Sequence, residues 1–247
     1  LDRHSSVIGV SEIITLNRKS PGWSGNKYIL ADSFWADVDS LMRKKGGQEL
    51  TEVSFKLRAG MPFYDAAIQN NKAALDAILE TSGKSIVCDS SKNAKRLKAL
   101  IESPLFRVKV IYLVRDGRAI VHAYRRKYGN WWPGWFNLIS TDHAARSMMA
   151  QYGSSNWLTV RYEDMTSNLE DTLRDICNFT KINFETQMLH PDTSQFKGIG
   201  GNRLLGKSIE KIKLDSAWKT EMPILVRTFT NLAVCRFNNR YGYSFLI

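Results

Sequence analysis

The chain has 247 residues and a mass of 28.2 kDa, and hydrophobic residues make up 43% of it, an ordinary globular share that fills one sizeable core. No apolar run approaches the roughly 20 residues of a membrane helix, so the chain reads as soluble and without a membrane span. A net charge of +11 and a pI of about 9.6 draw anions, whether nucleic acid, acidic lipid, polyanionic substrate or phosphorylated cofactor, and leave the choice among them open.

In chain order, the sequence starts at Leu1 without a methionine or a signal peptide. Residues 1–4 read like the middle of a helix, so upstream sequence is expected. A short β-prone run at 7–10 comes first. Apolar residues three and four apart predict a helix over 63–79, stopped by Ser82 and Gly83. A second strand at 85–88 leads into a helix over 92–101, and a longer Val- and Ile-rich strand at 108–114 into a helix over 118–127. A helix over 141–152, a strand at 158–161 and a helix over 169–179 follow. A long last helix is predicted from 223 to about 238. This alternation predicts an α/β fold, a central parallel sheet flanked by helices on both faces. No linker divides it, so residues 1–247 read as one domain. Cys88, Cys177 and Cys235 lack C-x-x-C spacing and sit in apolar settings, as buried thiols do.

Ligands of such sheets bind beyond the carboxyl ends of the strands, so the residues after each strand are the candidates. After the third strand stand Arg115 and Asp116, a glycine, and a helix start. A guanidinium fork beside free helix N–H groups suits a phosphate, and a turn locked by local ion pairing suits the same residues. After the second strand comes Lys92, a compact cation, with Asp89 and Ser91 as alternative helix caps. Glu12 follows the first strand, as a candidate base or a surface carboxylate. Tyr162 follows the fourth, as a stacking face or a cap on the core. The glycine-rich, basic run Lys197, Gly198, Ile199, Gly200, Gly201, Asn202 and Arg203 would let backbone N–H groups approach an anion. His122 reads as an orienting or core residue and His143 as a second candidate base. The cluster from Trp131 to Trp135 reads as an acceptor wall or as an aromatic-rich loop packed on the core. No metal-ligand spacing and no Gly-x-Ser-x-Gly elbow occurs.

The run from Val114 to His122, Val-Arg-Asp-Gly-Arg-Ala-Ile-Val-His, resembles the 3'-phosphate-binding strand–helix of sulfotransferases, and tyrosylprotein sulfotransferases above all. The family's arginine maps to Arg115. Its partner serine maps to Ala123, which has no hydroxyl to offer. Tyr162-Glu163-Asp164 is similar to the family's later Tyr-Glu-Asp segment, whose tyrosine lies near the adenine. The glycine run resembles the loop that closes on the nucleotide, most of all in a bacterial branch, although Phe196 stands where an arginine is usual. Leu214 to Glu221 and Arg240 to Tyr243 look like that branch too.

The resemblance implies a P-loop-NTPase-like sulfotransferase fold, 3'-phosphoadenosine 5'-phosphosulfate (PAPS) as donor, no metal, and a hydroxyl-bearing acceptor: carbohydrate, lipid, small molecule or protein tyrosine. It assigns Glu12 as general base and Lys92 as catalytic cation. The family's 5'-phosphosulfate loop has no counterpart in the chain and is expected before Leu1. The cytoplasm is the expected compartment, with the Golgi lumen the alternative if a targeting segment precedes Leu1. The rival readings are a P-loop small-molecule kinase, which would want a Walker lysine upstream, and a basic nucleic-acid-binding protein, for which no zinc, RRM or helix-turn-helix signature is present.

Overall fold

A computed structural model describes residues 1–16, 30–190, 197–199 and 213–245. The chain forms two compact units, Leu1–Val108 with Phe184–Lys211, and Lys109–Asn183 with Ile212–Ile247. Each unit is assembled from separated stretches of chain, so no linker composition marks where one gives way to the other.

The first unit holds β1 (Val7–Ser11), α1 (Ser33–Lys44), α2 (Tyr64–Ser82), β2 (Ile86–Asp89) and α3 (Ala94–Glu102). β1 and β2 pair in parallel from Val7 opposite Ile86 to Ser11 opposite Asp89, and the register slips between Gly9 and Ser11. Val10, Ile13, Trp35, Val38, Phe55 and Ile78 build its core. Gly83, at φ 66°, ends α2 as its sequence stop predicts. Residues 1–4 are turns and not helix: the Asp2 carboxylate accepts the Gly9 N–H at 2.5 Å, and the Lys84 ammonium donates to the carbonyls of Asp2, His4 and Val7. The Asp2 and His4 carbonyls, which a helix would bond to its own N–H groups, thus accept from a side chain instead.

The second unit holds β3 (Val110–Val114), α4 (Gly117–Tyr128), α5 (Trp132–Tyr152), β4 (Trp157–Arg161), α6 (Tyr162–Ser167), α7 (Leu169–Thr180), α8 (Trp218–Glu221), α9 (Ile224–Ala233) and α10 (Cys235–Arg240). β3 and β4 pair in parallel from Val110 opposite Trp157 to Val114 opposite Arg161. Val114, Val121, Leu138, Val234 and Phe237 form its core. Buried Asp142 ties β3, α5 and α10 together, accepting from Tyr112 and Tyr241 hydroxyls, Arg146 Nε and Arg240 Nη1. Burial first, and then the Asp142 hydrogen bond, push the Tyr241 phenol up to about 12.

The α/β class and the parallel pairing agree with the sequence. Among the described residues the four strands form two two-stranded sheets, one in each unit, where alternation led to the expectation of one central sheet. Alternation predicts parallel pairing; it does not count the strands that share a ladder. Two of the expected helices also differ. α5 begins at Trp132, nine residues before residue 141, because Pro133 sits in its first turn, where a missing N–H costs nothing. The last helix breaks at Val234 into α9 and α10. Cys177 is buried, whereas Cys88 and Cys235 are half-buried, and none of the three is in a disulfide.

Gly134 brings α5 close against α4: a Cβ there would lie 2.9 Å from the Val121 Cα and 3.2 Å from the Tyr124 Cβ. Overpacking of this kind costs about 1–3 kcal/mol, and alanine's helix propensity returns about 1 kcal/mol of it. Valine gains less and clashes more. Gly134→Val is therefore expected to lower the urea unfolding midpoint by an amount equivalent to about 2–3 kcal/mol; an unchanged midpoint would contradict this packing.

Candidate active site

In the first unit the chain leaves β1 through Ser11, a non-glycine residue at φ 53°, at the register slip. Glu12 follows directly. Lys92, itself at φ 52°, lies three residues beyond β2, and its Nζ meets Glu12 Oε1 at 2.7 Å. Two left-handed side-chain-bearing residues next to one ion pair are a local strain that the surrounding fold must hold, as functional sites commonly require. What holds it is visible. Ser91 Oγ accepts the Ile14 N–H at 3.2 Å, and its own N–H and Oγ–H both donate to Asp89 Oδ1. Asp89 Oδ2 accepts Nε of Arg96 at 2.9 Å, and Arg96 is buried against the Phe55 carbonyl and Asn71. Asp89 and Ser91 thus tie the two loops together and do not cap α3; Asn93 does, accepting the Arg96 N–H. Glu12 Oε2 makes no hydrogen bond among the described residues. Lys92 is exposed and Glu12 half-buried.

The glycine run reaches the same place. Ile199 bridges to Ser11, its N–H donating to the Val10 carbonyl and its own carbonyl accepting from Glu12 N–H at 2.9 Å. Lys197 precedes it by two residues and pairs with Asp32, the cap of α1, at 3.0 Å, while its carbonyl accepts from Trp35 Nε1. Gly198 joins the two. Lys197 also lines a cleft of about 350 Å³ with Arg3, His4, Lys84 and Phe34; neither Glu12 nor Lys92 lines it. Gly200, Gly201, Asn202 and Arg203 lie outside the described residues.

In the second unit Arg115 stands one residue past β3. Its guanidinium lies 4.6 Å from the centre of the Tyr162 ring, which opens α6 directly after β4. Nη2 donates to the Asp215 carbonyl at 2.5 Å and lies 3.3 Å from the Asp215 carboxylate, which Arg126 also reaches at 2.6 Å. Burial works against ionised Asp215, but the Ala217 N–H, Arg126 and Arg115 outweigh it and hold its carboxyl below the usual range. Tyr162 donates its hydroxyl to the Lys213 carbonyl. Arg115 Nε is buried and makes no hydrogen bond among the described residues. Ala123 lies nearly two turns into α4 from this end, half-buried.

The local ion pair that competed with a phosphate site does exist, with a different arginine. Asp116 caps α4 through the Arg118 N–H and binds the buried Arg118 guanidinium, which stacks 4.4 Å from the Trp218 ring. Asp116 is thereby spoken for, and Arg115 faces the other way, toward Asp215 and Tyr162. Sequence reading missed Asp215, Glu163 and Arg118. Glu163 accepts the Asp116 N–H and the Tyr243 hydroxyl, fixing the turn after β3. The Asp116-x-Arg118 spacing was the available signal for one of them. His122 is buried beside Trp131, its titration pushed down first by burial and then by Arg126, in keeping with a core role; His143 is exposed.

Among solved structures the chain is similar to the sulfotransferase domain from the Synechococcus PCC 7002 olefin synthase, with TM-score 0.51 and 14% identity over 96% of this chain and 94% of that one. It is likewise similar to the sulfotransferase domain from the curacin biosynthetic pathway, with TM-score 0.54 and 15% identity over 96% of this chain and 97% of that one. Identities this low speak for the fold alone. No curated protein matches the sequence. The sequence model of the Sulfotransferase family matches residues 33–186, more than half of the chain, and the chain belongs to that family. Among the described residues no helix is long and apolar enough to cross a membrane.

Proposed function

We propose that the chain is a PAPS-dependent sulfotransferase acting on a hydroxyl-bearing acceptor, with Arg115 as the ligand of the donor's 3'-phosphate. The observation that carries this reading is the Arg115 guanidinium at the carboxyl end of β3, against the Tyr162 ring, with a buried Nε that has no acceptor among the described residues. A buried donor without a partner is costly, and an oxyanion suits the fork's charge and shape. Tyr162 offers a ring face to the adenine. Ala123 adds no hydroxyl, so Arg115 carries more of the phosphate's recognition here than in relatives with a serine at this position. Lys197 and Gly198, with the glycines that follow, are assigned to the donor's phosphates.

Bound PAPS supplies a sulfuryl group on a phosphate leaving group. Glu12 accepts the acceptor's hydroxyl proton as the oxygen attacks sulfur and the sulfur–oxygen bond to phosphate breaks. Lys92, holding Glu12 Oε1, leaves Oε2 for that proton and places a compact cation beside the atoms where negative charge gathers. The reading is tested by titrating the chain with 3'-phosphoadenosine 5'-phosphate and, separately, with arbitrary duplex DNA across a salt series. Saturable one-site nucleotide binding is expected. Strong, salt-dependent DNA binding that the nucleotide leaves untouched would instead assign the +11 charge to nucleic acid.

A further inference from the structure

We propose that one face of the second unit docks on anionic lipid bilayers. The apolar part of the face lies on two helices. Trp132, Phe136 and Ile139 follow one another at four and three residues along α5, which sets them on one side of it, and Leu225, Phe229 and Leu232 repeat that spacing on α9. All six are between 52% and 82% exposed. The Trp135 ring joins the stripes: its centre lies 5.3 Å from both the Trp132 and Phe229 rings, and its Nε1 donates to Thr230 Oγ1. Single exposed apolar residues are ordinary; six on two touching helices form a patch of the kind that marks an interaction site.

The charge around the patch selects its occupant. Residues 117–141 and 222–245, which carry α9, the apolar first half of α5 and their flanks, contain arginines and lysines but not one Asp or Glu. Arg125 and Lys127 are exposed on the last turn of α4 and pair with no carboxylate among the described residues; each lies instead near an aromatic ring, Trp131 at 6.0 Å and Tyr128 at 5.1 Å. Because Gly134 seats the start of α5 on α4, this basic turn borders the aromatic one. A second copy of the chain placed on the same face would set cation against cation. A bilayer with acidic headgroups satisfies both halves: Phe, Leu and Ile enter the acyl boundary, Trp and Tyr sit at headgroup level, and the cations meet phosphates.

Co-sedimentation with vesicles of phosphatidylglycerol and phosphatidylcholine in equal parts, against pure phosphatidylcholine, tests this. Binding is expected to the anionic vesicles only. The surface double variant Phe136→Ser with Leu225→Ser should lose at least about tenfold in partition, and Arg125→Gln with Lys127→Gln roughly fivefold for each cation removed. Both changes are at exposed positions, and a circular-dichroism melt verifies the fold. Equal binding to neutral vesicles, no binding to either, or an unaltered partition of the apolar variant would overturn the proposal. So would a wild-type dimer that the apolar variant splits without any vesicle binding.

Discussion

Replacing Arg115 by alanine is expected to weaken binding of 3'-phosphoadenosine 5'-phosphate by roughly a hundredfold, because truncating one partner of a charged, hydrogen-bonded pair costs about 2–5 kcal/mol. The fold should survive. Arg115 Nη2 holds Asp215, but Asp215 keeps Arg126 at 2.6 Å and the Ala217 N–H at 3.2 Å, so the segment around it stays anchored. The expected stability loss is about 1 kcal/mol, the net worth of an ordinary hydrogen bond. Calorimetric titration of the variant and wild type, with a denaturation curve for each, separates the two effects. Lysine at the same position is a sharper probe: it keeps the charge and loses the fork and the stack on Tyr162, so it should recover only part of the affinity. Unchanged affinity in the alanine variant would remove the phosphate from this arginine.

How much of this was legible beforehand depends on what each residue answers to. β3 and α4 were readable because a Val- and Ile-rich strand, a glycine and an amphipathic helix follow one another within 19 residues, Val110 to Tyr128, and each obeys local rules. The approach of Lys92 to Glu12 was not readable. It joins positions 80 residues apart and depends on two left-handed residues that are not glycine, which no propensity would select. Arg115 could be placed at the strand's end, but its partner Asp215 lies 100 residues on and is chosen by tertiary packing. The same holds for Asp142, whose four partners come from β3, α5 itself, the end of α10 and the residue after it. The loop reading of the Trp cluster fell for the opposite reason. Its proline and glycine look like loop punctuation, yet proline is welcome in a first turn and Gly134 is required by a neighbouring helix.

Glu12→Gln is expected to lower kcat about a thousandfold, within the 10²–10⁴ range of a lost general base, while nucleotide affinity stays within about twofold. The substitution is nearly isosteric and its partner Lys92 is exposed, so loss of the ion pair should cost no more than about 1 kcal/mol of stability. A competing account makes Glu12 only the holder of Lys92, with the lysine performing the chemistry. The two accounts part in the double variant. If Glu12 merely positions Lys92, then Glu12→Gln added to Lys92→Met changes nothing further, since the group being positioned has already gone. If Glu12 takes the proton, the second substitution cuts deeper, and the acidic limb of the wild-type pH–rate profile disappears from every variant lacking the carboxylate. Steady-state turnover of the intact enzyme, measured with a fixed hydroxyl acceptor across pH for the two single variants and the pair, decides it. Full turnover in Glu12→Gln would dismiss this carboxylate from the reaction.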